Sequence, residues 1–200
     1  SCGAELICDE TTAATSCPYC GNLSVIPAQF SGQLRPDYVI PFKLDKNAAV
    51  SALKRYYGGK RFLPKSFADG NHIKEIKGVY VPFWLFDGES DADARFRGTI
   101  VHMHRRGDEE ITVTDHFRVA REGTVAFERV PVDGSSKMPN AHMDAIEPFD
   151  YGELKPFSSA YLPGFLADKY DQDAATCKDR AYARIKASAE DALAATARGY

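Results

Sequence analysis

Residues 111–130, "ITVTDHFRVAREGTVAFERV", carry the sheet of this chain and decide how it is read. Apolar and polar residues alternate over roughly 110–120 and 124–130, which is the two-residue period of half-buried strands. Between them, Arg121-Glu122-Gly123 has the form of a three-residue hairpin loop with Gly123 in the left-handed position. Such a loop pairs Ala120 with Thr124. It then sets Val119 opposite Val125, Phe117 opposite Phe127 and Asp115 opposite Arg129. A two-residue loop would put Phe117 opposite Glu128, so matching apolar to apolar favours the first register. That register also gives Asp115, the charge in the row Ile111, Val113, Phe117 and Val119, a partner in Arg129.

Working outward, residues 94–105 alternate in the same way and make a further strand. Gly78–Glu89, "GVYVPFWLFDGE", is a strand too apolar to leave either face in water, with Pro82 marking an edge or a bulge. Asp37–Phe42 reads as a short strand. Asp45 is placed to cap a helix to about Tyr57, with Ala49, Val50, Leu53, Tyr56 and Tyr57 on its apolar side. Ile146–Phe165, rich in aromatics and prolines, reads as an extended strap packed on the sheet. Asp173 caps a longer helix to about Ala197. Its stripe of Ala174, Cys177, Ala181, Ile185, Ala189 and Leu193 is mostly small, so something must approach it closely. The class is α+β, with an antiparallel sheet over about 79–130 and packed helices within residues 37–200.

The N-terminus is different in character. Cys17-Pro18-Tyr19-Cys20-Gly21 is a complete Cys-x-x-Cys knuckle, and Ser1-Cys2-Gly3 matches the end of a second one. Fourteen residues separate Cys2 from Cys17, a suitable length for a short hairpin between two knuckles of a zinc ribbon. A cysteine three positions before Cys2 would complete the set. We therefore expect residues 1–26 to be a ribbon truncated in its first knuckle, with Cys2, Cys17 and Cys20 as zinc ligands and Cys8 as a possible substitute. Zinc in such a site is expected to be incomplete or lost. "PAQFSGQLRP" (residues 27–36) reads as the linker to the main domain.

Composition sets further bounds. The chain has 200 residues, is 44% hydrophobic and 26% charged, and carries a net charge of −3, which gives no whole-chain attraction for nucleic acid. No apolar run approaches the ~18 residues of a membrane span. Four of five cysteines fall in the first twenty residues, a pattern of metal binding in a reducing compartment, so a cytoplasmic location is expected. Residues 1–30 contain Glu5, Asp9 and Glu10 and no Lys or Arg, so a ribbon here suits protein docking better than a phosphate backbone.

Few other residues carry chemistry. From Lys43 to Lys77 there are nine Lys or Arg against Asp45, Asp69 and Glu75, with aromatics interleaved. Lys54, Arg55, Lys60 and Arg61 could seat a nucleic-acid strand or an anionic lipid head group, although a solvated helix face is the simpler account. His102 and His104 share a strand face, but Arg105-Arg106 would repel a cation. Gly134-Ser135-Ser136-Lys137 matches the end of a phosphate loop without its first glycine or its strand–loop–helix setting. No nucleophile–base–acid order is evident, and an enzyme is not expected.

The stretches "CDETTAATSCPYCGN", "LRPDYVIPFKLDK", "IKGVYVPFWLFDGE", "VPVDGSSKMP" and "IEPFDYGELKPFSSAYLPGF" together resemble an uncharacterised bacterial family of transcription-factor-IIB-type zinc-ribbon proteins, some of them labelled primosomal helicase-like. The resemblance covers nearly the whole chain. It implies a ribbon whose cysteines match Cys2, Cys17 and Cys20, with Cys8 variable. It also implies a continuation into a strand-rich stretch and a membrane-spanning segment, so that this part is the cytosolic middle of a membrane-tethered protein. The helicase label finds no ATP-binding motif here. The function expected is a non-enzymatic binding or scaffold module that docks a protein partner, with nucleic acid not expected as a ligand and the membrane reached only through a segment outside this chain.

Overall fold

The computed structural model describes residues 11–17, 23–25, 35–58 and 76–197. The fold is mixed α+β, with small antiparallel sheets and few helices. The chain forms two compact units interleaved in sequence, one from residues 1–82 and 133–172, the other from 83–132 and 173–200.

The first unit holds a four-stranded sheet. Its strands are β1 (Thr12–Ser16), β2 (Leu23–Val25), β4 (Val79–Tyr80) and β8 (Leu166–Asp168), in the order β2-β1-β8-β4. Strand β1 runs antiparallel to β2, with Ala14 opposite Val25 and Ser16 opposite Leu23. On its other side β1 is antiparallel to β8, and the register shifts between Thr12 and Ala14. Strand β4 joins β8 in parallel. Ala13, Ala14, Leu162 and Ala167 form the buried core, with Tyr80 and Phe157 packed against it. Small residues suit β1 because the chain closes over it. A second ladder pairs β3 (Tyr38–Val39) with β7 (Lys155–Pro156). Helix α1 (Lys46–Tyr57) starts where the Asp45 carboxylate accepts the Ala48 N–H at 2.8 Å, the cap its sequence announces. Helix α2 (Asn140–Ala145) follows the loop after Asp133.

Among its described residues, the second unit is one long hairpin with one helix. Strand β5 (Phe83–Arg106) turns at Gly107-Asp108 into β6 (Glu109–Asp133), whose last residue is counted with the first unit. Gly107 has a positive φ of 67°, the conformation a two-residue hairpin turn demands. Helix α3 (Ala174–Thr196) is capped by Asp173, which accepts the Thr176 N–H at 2.8 Å. It buries Cys177, Ala181, Ile185, Ala189 and Leu193 of the stripe read from the sequence, while Ala174 is half-buried. Trp84, Phe86 and Val132 pack on Cys177 and Ala181. A Cβ on Gly88 would stand 2.8 Å from Cδ1 of Ile185, so the missing side chain is what lets helix and strand approach. Arg184, midway along α3, ties the helix to the hairpin by donating to the Pro131 carbonyl at 2.7 Å.

The hairpin expected at Arg121-Glu122-Gly123 is not formed. Residues 109–133 are one continuous strand, and the register that paired Asp115 with Arg129 is wrong. As Asp115, Thr124 and Arg129 ascend β6, their partners His102, Asp91 and Asp87 descend β5. Gly123 stays within the strand, and the irregularity of β6 lies further on, at Arg129. Arg129 adopts φ 57°, and its N–H donates to the Asp87 carboxylate at 2.8 Å. The covered positions change parity across it, from Val125 and Phe127 before to Val130 and Val132 after. An extra residue has been inserted into the strand there, as in a β-bulge. The apolar matching of 117 with 127 arose because both residues lie on the covered side of the same strand.

Two smaller expectations shift. The strand over Gly78–Glu89 is broken at Val81-Pro82, dividing β4 from β5. The division expected between residues 26 and 37 falls mostly on residues outside those described.

Candidate functional site

Three places answer to the sequence candidates. The first is the knuckle. Ser16 pairs with Leu23, so residues 17–22 form the connection between two antiparallel strands. Cys17 follows directly on β1 and is 5% exposed. Cys2, Cys8 and Cys20 lie outside the described residues. Among the described residues, no group of three or more His, Cys, Asp or Glu is gathered as a metal site. Thiolates at this spacing nevertheless suit zinc in kind, and Cys17 stands at the strand end where one would be held.

The second place is one that the sequence reading set aside. Gly134-Ser135-Ser136-Lys137 is a tight polar turn between β6 and α2, with Asp133 and Ser135 each 1% exposed. The Ser136 N–H donates to Asp171 Oδ1 at 2.8 Å, and the Ser136 hydroxyl donates to Oδ2. Asp171 and Gln172 both donate their N–H groups to the Gly134 carbonyl, at 3.0 and 3.1 Å. Burial works to raise the Asp171 carboxyl. The hydrogen bonds from Ser136 and the charge of Lys137 outweigh it and hold the group below the usual carboxylate range. The Lys137 ammonium lies 3.1 Å from Asp168 and 3.4 Å from the Thr12 hydroxyl, across the shifted register of β1 and β8. This turn is a clamp. Its lysine and serine face carboxylates, an arrangement that repels a phosphate. The signal that could have found it is the Asp-x-x-Asp run 168–171, acidic residues placed to meet a buried loop.

The third place is the basic stretch. Lys54 and Arg55 are exposed in the last turn of α1, where cations complement the helix dipole. Lys43 is paired with Glu153 at 3.0 Å. Lys60 and Arg61 lie outside the described residues, so the four basic candidates are not seen together. His102 does not join His104 around a metal. Its Nε2 is 3.4 Å from the Asp115 carboxylate, with both side chains more than half exposed. Cys177 is a core residue of α3.

No family model matches the chain, and no solved structure matches it. The chain is 37% identical over 177 residues to the uncharacterized protein YdjG of Bacillus subtilis (strain 168), a match that takes in 88% of this chain and 52% of YdjG. It thus spans about half the length of that relative. No described helix is long and apolar enough to cross a membrane.

Proposed function

We propose that the chain is a non-enzymatic docking module of the transcription-factor-IIB-type zinc-ribbon kind, in which a zinc knuckle at residues 17–20 presents a surface to a protein partner. The observation that supports this reading is the pairing of Ser16 with Leu23 beside the buried Cys17. In sequence, the Cys-x-x-Cys segment lies between these two paired residues. Cys17 and Cys20 supply one pair of thiolates and Cys2 the third, and Cys8 is not required. Zinc would supply cross-linking to so small a hairpin, because structural zinc energy is folding energy. The thiols and the lack of basic residues near the knuckle favour a protein partner on the cytoplasmic side, with membrane attachment, as the resemblance implies, supplied by a different part of the protein. Anion binding through Lys54, Arg55, Lys60 and Arg61 is the second reading, and it is the weaker. Lys54 and Arg55 have a structural role at the helix end, and Lys43 is engaged by Glu153. Cobalt titration tests the knuckle: a thiolate–cobalt absorption band that Cys17→Ser and Cys20→Ser each abolish supports it, and a band indifferent to both overturns it.

A further inference from the structure

Strand β5 has β6 on one side and, among the described residues, no strand on the other. A 24-residue edge without proline is a template for pairing with another chain. At ~3.3 Å per residue β5 extends about 80 Å, whereas the 23 residues of α3, at 1.5 Å each, span about 35 Å. The helix begins at the Trp84 end, so the far half of the hairpin extends beyond it. Phe96 and Ile100 are half-buried there on the helix side of the strand.

The opposite row of β5 is exposed and changes sign once. It reads Asp87, Glu89, Asp91 and Asp93, then Arg95 and Arg97, with the change at Ala94. Asp91 accepts the Thr124 hydroxyl at 2.6 Å. Asp93, Arg95 and Arg97 meet no hydrogen-bond or ion-pair partner among the described residues. A row of one sign followed by the other is self-complementary when laid against itself in reverse.

We propose that β5 pairs antiparallel with β5 of a second copy of this chain, about a two-fold axis at Ala94. Asp93 of each copy then lies opposite Arg95 of the other, and Asp91 opposite Arg97, so symmetry makes four Asp–Arg pairs. Glu89 meets Thr99. An axis one residue away fails, since it sets Asp93 against Asp93 or Arg95 against Arg95. A two-fold axis normal to the sheet keeps α3 of both copies on one face. Each helix then lies beside the far half of its neighbour, where Phe96 and Ile100 extend past their own helix. The pairing closes the edge that a lone hairpin leaves open.

Sedimentation equilibrium of the 200-residue chain tests this, with far-UV circular dichroism as the check that each variant is folded. The expected mass is twice the 22.1 kDa of one chain and falls towards one chain as salt is raised. R95D/R97D makes the whole row acidic, and D91R/D93R makes its pairing part, residues 91–97, basic. Each alone is expected to be monomeric where the unaltered chain is dimeric. Mixed in equal amounts they are expected to recover the dimer mass as a heterodimer, because an acidic row then faces a basic one. A monomer at every concentration, a dimer that both variants retain, or a mixture that stays monomeric would each overturn the proposal. So would a monomeric chain whose salt-sensitive binding of duplex DNA is lost in R95D/R97D, which would assign the arginines to nucleic acid.

Discussion

Gly78 lies where two aromatic rings close over the backbone at the start of β4. A Cβ added there would stand 2.6 Å from Cδ1 and 3.0 Å from Cε1 of Phe165, and 3.2 Å from Cζ of Phe42. Neither ring is free to swing aside. Phe165 stacks on Phe42 with centroids 4.4 Å apart and planes 11° from parallel, and Tyr80 meets both edge-on at 4.9 and 5.5 Å. The Gly78 carbonyl also accepts the Leu166 N–H at 2.9 Å, so the backbone is held by the β8 strand. Overpacking of this kind costs about 1–3 kcal/mol. Restricting the unfolded chain returns about 0.4–1 kcal/mol. Gly78→Ala is therefore expected to lose roughly 1–2 kcal/mol, read as a lower urea midpoint by far-UV circular dichroism. Phe165→Leu removes the clashing ring, so it should cost less in the G78A background than alone. The expected coupling in that cycle is about 1 kcal/mol. A G78A protein as stable as the parent, or a cycle without coupling, would refute the packing described for this aromatic cluster.

Other consequences can be checked in the same way. Arg129→Val should be less stable than Arg129→Gly by about 1 kcal/mol or more, because a β-branched residue resists the φ of 57° that the bulge imposes; equal urea midpoints would deny the bulge. The Thr176 N–H holds the Asp173 carboxyl below its usual range, so its contribution is present above the unfolded pKa and lost as pH falls through the folded one. D173A should accordingly melt below the parent at pH 7, and the two melting curves should converge below about pH 4. K54E/R55E should leave binding of single-stranded DNA unchanged and negligible; a salt-sensitive gel shift of the parent that this variant loses would revive the anion-binding reading.

What the sequence made legible was local. Asp45 and Asp173 name the starts of α1 and α3, and the stripe from Cys177 to Leu193 names the buried side of α3, because a cap and a 3.6-residue period are written within one turn or one helix. The hairpin turn at Gly107 carries the same kind of signal. The strand β6 reads as two because Arg121-Glu122-Gly123 has the composition of a turn, and the alternation is the same on either reading. The pairing of β1 with β8 joins residues about 150 apart and leaves no trace in either segment, both of which are short and small-residued. The Ser136–Asp171 and Lys137–Asp168 contacts are equally distant from any local pattern. Of the proposed site, the spacing of Cys17 and Cys20 is plain in the sequence, while the pairing of Ser16 with Leu23 leaves no local signal there.

The most direct test of the docking-module account is the zinc content of the purified chain, measured by elemental analysis beside its cysteine variants. The account predicts zinc that is lost from Cys2→Ser, Cys17→Ser and Cys20→Ser and retained by Cys8→Ser and Cys177→Ser. Zinc that survives Cys17→Ser or Cys20→Ser would contradict it.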